Sequence, residues 1–139
     1  EIYQKDYQTT TKTDDSPITE ADLASNEIIK KILGETDHMI LSEEDKDDLN
    51  RLDKDMIWIV DPLDGTSDFI DKTGEFTVMI ALIKNKKPFL GVINWPTEKT
   101  IFVAQQGNGA YKYSNNRWTK ITVTKDKGFS QRKKPTLIF

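Results

Sequence analysis

Apolar residues recur at spacings of three and four in one stretch of this 139-residue chain, and in short blocks after it. Ala21, Ala24, Ile28 and Ile32, joined by Ile29 and Leu33, form a stripe at helical spacing. Thr19 stands where a cap is needed, with Asp22 three residues on as in a capping box, and Gly34 ends the pattern. A helix is therefore predicted from Thr19 to Gly34. Residues 1–16 are polar and Thr-rich, with Ile2, Tyr3 and Tyr7 as the only candidates for the tail of an earlier helix.

Shorter apolar blocks follow. Residues 39–41 lead into Ser42-Glu43-Glu44, and residues 45–55 form a charged connection with some helical potential through Leu49 and Leu52. Met56-Ile57-Trp58-Ile59-Val60 is continuous and of strand length, the pattern of a strand buried on both faces. A turn is expected at residues 61–66, with a helical turn at residues 67–70. Residues 76–83, 89–95, 100–104 and 110–113 are strand candidates, and Phe76, Val78, Ile80 and Leu82 alternate as a core face. Turn chemistry separates them at Asn85-Lys86-Lys87-Pro88, Pro96-Thr97-Glu98-Lys99 and Gly107-Asn108-Gly109, and residues 118–124 read as a further edge piece. The expected class is α+β, early helices laid on a mostly antiparallel sheet, in a single domain over residues 1–139.

Composition narrows the chemistry. The chain has no cysteine and one histidine, His38, which removes disulfides, thiolate metal sites, cysteine nucleophiles and histidine-rich zinc sites. Reactive groups must be oxygens. Absence of cysteine fits a reducing compartment, so a cytoplasmic location is expected, with a peripheral place at the inner membrane face as the alternative. No apolar run approaches the roughly 20 residues of a membrane span, and no leader pattern opens the chain. The charge is divided: residues 1–80 carry 21 acidic and 8 basic residues, residues 81–139 carry 2 and 12. Two solvated faces would explain that as simply as a site would. The start at Glu1 and the apolar run Leu137-Ile138-Phe139, read as a strand beginning, give the expectation of a chain truncated at both ends.

The most informative residues are Asp61-Pro62-Leu63-Asp64-Gly65-Thr66, where an apolar strand ends in two carboxylates around a proline. Pro62 restricts φ and Gly65 permits a close or left-handed backbone, so the carboxylates of Asp61 and Asp64 and the carbonyl of Leu63 can converge on one point. Oxygen-only donors suit Mg²⁺, Mn²⁺ or Ca²⁺. Gly65 and Thr66 then offer N–H groups and a hydroxyl to a phosphate oxygen. An ordinary turn would use the same residue types. Glu43 follows another short apolar run and can bring a further carboxylate to the same sheet edge, or lie in a solvated acidic loop; Asp22 is a cap or a catalytic group.

Four segments in order carry a resemblance: Asp14-Asp15-Ser16-Pro17-Ile18-Thr19-Glu20-Ala21-Asp22, Leu41-Ser42-Glu43-Glu44, residues 58–66, and Gly74-Glu75-Phe76-Thr77-Val78 with the strand after it. They resemble the signatures of the lithium-sensitive, magnesium-dependent phosphatases that include inositol monophosphatase and fructose-1,6-bisphosphatase, and within these the bacterial CysQ type of 3'(2'),5'-bisphosphate nucleotidase. The resemblance implies the N-terminal domain of that layered fold. It implies Mg²⁺, two or three ions in the complete enzyme, held by Glu43, Asp61, the Leu63 carbonyl and Asp64. Thr66 and Asp22 would orient and deprotonate the attacking water with Glu43 beside them, and Glu43, Leu63, Asp64, Gly65 and Thr66 would meet the substrate. That substrate is expected to be a small phosphorylated molecule, a bisphosphate nucleotide such as 3'-phosphoadenosine 5'-phosphate, which would yield AMP and phosphate. The family pattern also carries a second domain, with a further aspartate and a Trp-Asp-x-Ala segment, that this chain does not reach; weak Mg²⁺ binding and little turnover are expected of these 139 residues alone.

Rival readings remain. An inositol or fructose phosphate could be the substrate. The basic second half with Trp95, Tyr111, Tyr113 and Trp118 could serve a nucleic-acid or polyphosphate module, although the acidic first half disfavours nucleic acid. The chain could also be a non-catalytic metal-binding fragment. His38 is expected in a loop, the tryptophans in packing, and Lys84, Lys86 and Lys87 in a solvated hairpin.

Overall fold

The computed structural model describes residues 2–5, 8–11, 17–47 and 49–123. Two short strands, β1 (Thr9–Thr11) and β2 (Pro17–Thr19), pair antiparallel and lead into helix α1 (Glu20–Leu33). Seven strands then form one sheet in chain order: β3 (Met39–Ser42), β4 (Met56–Asp64), β5 (Thr77–Lys84), β6 (Lys87–Trp95), β7 (Thr100–Gln105), β8 (Gly109–Ser114) and β9 (Arg117–Ile121). A five-residue helix, α2 (Thr66–Ile70), sits between β4 and β5. β3 runs parallel to β4 and every later pair is antiparallel. A parallel neighbour needs a crossover of about a dozen residues. The charged stretch after Ser42, with a 3₁₀ turn at Asn50–Asp53, provides it.

The expected α+β class and antiparallel meander are what the chain adopts, with several local corrections. The predicted stripe of α1 is only partly its buried face. Ala21, Asp22, Asn26 and Ile29 turn inward, while Ile28 and Ile32 are 61% and 60% exposed. Asp22 and Asn26 displace apolar residues from the inner face because each finds hydrogen-bond partners there. β4 is not buried on both faces either. Val60 is 2% exposed, but Ile59 on the other face is 41% exposed and lines an open groove with Leu41, Leu52 and Ile57.

The expected turn at residues 61–66 is a continuation of β4 to Asp64, with a register slip between Asp61 and Asp64. Pro62 explains the slip, for it has no N–H to give the ladder. The turn at residues 85–88 is tighter than expected. Asn85 and Lys86 take φ of 50° and 62°, both positive as a two-residue hairpin turn requires, and β6 begins at Lys87 with an irregularity near Pro88. β9 ends at Ile121, short of the expected 124, and the pairing of β1 with β2 has no counterpart in the strands expected from the sequence. Ile2–Gln4 form a 3₁₀ turn where a helix tail was expected; Tyr7, Asp14 to Ser16, Thr124 and the run at residues 137–139 lie outside the described residues.

The best-buried apolar cluster is Ala21, Leu63, Phe69 and Phe76, with Ile2 and Tyr3 packed against it. Tyr3, Phe69 and Phe76 stand with ring centroids 4.9–5.0 Å apart in tilted and edge-on pairs, a favourable aromatic geometry. This cluster lies directly beneath the end of β4. Of the tryptophans, Trp58 donates to the Thr36 hydroxyl and Trp95 to the Gly74 carbonyl, both as packed residues, while Trp118 on β9 is 52% exposed. No helix among the described residues is long and apolar enough to cross a membrane.

Candidate active site

The C-terminal end of β4 is the point where α1, β2, β3 and α2 meet. Thr19 caps α1 by accepting from the Ala21 N–H, and Asp22 returns a bond to the Thr19 N–H at 2.7 Å, completing the expected capping box. The same Asp22 oxygen accepts from the Thr19 hydroxyl at 2.6 Å, and the other accepts from the Thr66 hydroxyl at 3.1 Å. Capping and the bond to Thr66 are thus combined in one side chain that is 1% exposed. Thr66 Oγ also lies 3.3 Å from the Leu63 carbonyl. Its single proton is directed at these acceptors, so the oxygen can only accept from a water beside it.

Gly65 has φ +87°, and a Cβ there would come within 2.9 Å of the Glu75 carbonyl and 3.4 Å of Phe76 Cα. The position requires glycine for both conformation and close approach. Its carbonyl accepts from the Phe69 N–H at 2.9 Å, opening α2. α2 has only five residues, so its N-terminus offers free N–H groups and little dipole.

The carboxylates divide into held and crowded. Asp64 accepts from the Thr77 hydroxyl at 3.3 Å, and Asp61 from the Leu63 N–H at 3.2 Å. Glu43 follows β3, its N–H bonded to the Val60 carbonyl at 3.0 Å, which carries it to the flank of Asp61. Burial, then the negative charges of Glu43 and Asp64 and a hydrogen bond shared with Glu43, push the Asp61 carboxyl up to about 6 from its ordinary 3.8. Asp61 therefore feels both neighbouring carboxylates, but no three carboxylates among the described residues stand in a metal-ligating cluster. By its chemistry the donor set, carboxylate and carbonyl oxygens alone, fits a hard divalent cation, whose charge would offset the burial and the repulsion that together raise Asp61.

Three nearby side chains escaped notice as site residues. Ser25 donates to the Pro62 carbonyl at 2.9 Å, Thr77 holds Asp64, and Asn26 binds Ser42 and Asp45. Asn26 was detectable as a polar residue four positions after Asp22, on the same helix face.

A profile of the inositol monophosphatase family matches residues 1–137. The chain belongs to the inositol monophosphatase family. Among curated relatives, the 3'(2'),5'-bisphosphate nucleotidase CysQ of Aggregatibacter actinomycetemcomitans is 35% identical over 124 residues, covering 86% of this chain and 46% of its own length. The crystal structure of CysQ from Bacteroides thetaiotaomicron is 48% identical with a TM-score of 0.68, over 81% of this chain and 42% of that one. A structure of an IMPase/NADP phosphatase complexed with Mg²⁺ and phosphate is 24% identical and shares the fold, with a TM-score of 0.71 over 77% of this chain and 42% of that one. The chain thus spans less than half the length of these family members.

Proposed function

We propose that this chain supplies the carboxylate half of a Mg²⁺-dependent phosphomonoesterase, and that the full-length protein removes the 3'-phosphate from 3'-phosphoadenosine 5'-phosphate to give AMP and phosphate. The observation that carries the reading is the strand end itself, where Asp61 feels the charges of Glu43 and Asp64 beside a threonine hydroxyl that is hydrogen-bonded to a buried aspartate. The 35% identity to a relative named as a 3'(2'),5'-bisphosphate nucleotidase supports the choice of substrate. Glu43, Asp61, Asp64 and the Leu63 carbonyl would hold Mg²⁺. Bound there, it supplies positive charge that acidifies water and neutralises phosphoryl oxygens.

The remaining work falls to this chain's own groups. Thr66 accepts a hydrogen bond from the attacking water, because its own proton points at Asp22. Asp22, fixed by two bonds from Thr19, keeps that hydroxyl aimed and takes up its proton as the water loses one. Gly65 brings the backbone close enough for the N–H groups of the first turn of α2 to face a phosphate oxygen. Water attacks phosphorus, the ester P–O bond breaks, and the leaving oxygen takes a proton from solvent water.

The test is phosphate release by the full-length protein carrying this chain. Release from 3'-phosphoadenosine 5'-phosphate is expected to exceed release from inositol 1-phosphate, to stop with EDTA and to return with Mg²⁺. Asp61→Asn is expected to lower it by more than about 100-fold, the upper end for residues that only support a ligand. Unchanged activity in that variant overturns the metal mechanism, and faster release from inositol 1-phosphate overturns the substrate.

A further inference from the structure

α1 buries two polar side chains one turn apart, Asp22 at 1% and Asn26 at 7% exposure. A buried amide is costly unless both of its ends are paired, and here both are. The Asn26 amide oxygen accepts from the Ser42 hydroxyl at 2.8 Å, and its amide nitrogen donates to Asp45 Oδ1 at 3.3 Å. Asp45 is in turn bridged through its other oxygen to Lys30 at 2.6 Å. Ser42 and Asp45 flank Glu43 and Glu44, and the Asp45 N–H closes a turn onto the Ser42 carbonyl at 3.2 Å. The Glu43 N–H is itself on the β4 ladder at Val60.

We infer that Asn26 is a positioning residue for Glu43. Its amide clamps both ends of the short turn that carries that carboxylate. The inference rests on the reading of Glu43 as a metal ligand given above. Positions four apart lie one above the other on a helix. A single rigid face of α1 therefore holds Thr66 through Asp22 and the Glu43 turn through Asn26, and sets the spacing between the water-orienting hydroxyl and the carboxylate. A leucine at position 26 would fill the space but leave the Ser42 hydroxyl and Asp45 without the amide. An aspartate would keep the Ser42 bond and set a second carboxylate against Asp45.

The test measures free Mn²⁺ by electron paramagnetic resonance during titration of the full-length protein. Asn26→Ala is expected to weaken Mn²⁺ binding about 10-fold, and Asn26→Asp to rescue none of that loss. Ile29→Ala, a buried apolar truncation one turn along the same helix, is expected to lower thermal stability and leave Mn²⁺ affinity unchanged. In the activity assay, Asn26→Ala raises the Mg²⁺ concentration for half-maximal rate by the same factor with KM for the phosphate ester unchanged. Should Asn26→Ala fail to fold, Ser42→Ala carries the test with a loss of a few-fold. Parent-like Mn²⁺ affinity in Asn26→Ala, or in Ser42→Ala when it stands in, overturns the inference, as does equal weakening by Ile29→Ala. Parent-like affinity in Glu43→Gln and Asp61→Asn, or no binding by the parent, overturns the metal reading instead, so the two failures are distinct.

Discussion

The two edges of the seven-stranded sheet, one a parallel pair and the other antiparallel, are built in different ways. At the β3–β4 edge, Asp22 accepts three hydrogen bonds, Asn26 makes two and Gly65 fits against the backbone of Glu75. At the β8–β9 edge, all five residues of β9 are exposed, and the hairpin turns through Asn115 and Asn116 at φ of 51° and 57°. The first edge is held by side chains locked to several elements, the second by backbone pairing and by exposed side-chain contacts within the one hairpin, such as Trp118 on Tyr113. A site needs the first kind of construction, because reacting groups must stay put to within a fraction of an ångström. The second kind tolerates change.

The comparison can be broken most directly with one aromatic from each edge. Phe69→Ala, at 3% exposure in the cluster beneath the site, is expected to cost about 3–4 kcal/mol in urea unfolding. Trp118→Ala, which loses an exposed side chain tilted on Tyr113 at 5.0 Å, is expected to cost about 1 kcal/mol. Similar losses would mean the edges are equally built. A glycine pair sharpens the same contrast. Gly65→Ala combines a positive φ with a clash and should cost about 2–3 kcal/mol, whereas Gly107, at φ +82° with nothing within 4 Å, should cost about 1 kcal/mol on mutation to alanine.

The smallest effect concerns charge. Asp61 has its carboxyl raised from 3.8 to about 6 in the folded chain, so folding favours its protonated form. Its contribution to the stability of metal-free protein is complete below about pH 4 and is lost as pH rises through about 6. Because the group is half-buried and screened, the difference is about 1 kcal/mol. Asp61→Asn should remove that pH dependence, stabilise the metal-free chain at pH 7 by about the same amount, and abolish any rise in Tm with Mg²⁺. A variant that melts like the parent at both pH 5 and pH 7 would show that the acidic groups do not crowd one another.

Most of the meander was legible because hairpin turns advertise themselves in residue type, and the errors there are of one to three residues at strand ends. The edge that carries the candidate site was legible as a list of residues and less so as structure. Periodicity put Ile28 and Ile32 on the inner face of α1, where Asp22 and Asn26 compete successfully because they meet Thr19, Thr66, Ser42 and Asp45, contacts made by residues up to 44 positions away. No helical wheel contains that information. Likewise the residues from Asp61 to Thr66 read as a turn from Pro and Gly, yet β5 keeps the chain extended to Asp64 through the pairing of Asp64 with Thr77.

The parallel pairing of β3 with β4 also bears on the order in which the molecule assembles. β5 to β9 join by short hairpins and can pair as soon as each is made, whereas β3 must wait for a crossover and α1 for β4. Loop closure makes such distant contacts slow. The candidate site therefore rests on contacts that span more of the sequence than any hairpin of the meander does. A cation bound by Glu43 and Asp61 would tie β3 to β4 beside their ladder, at the joint with the longest connection.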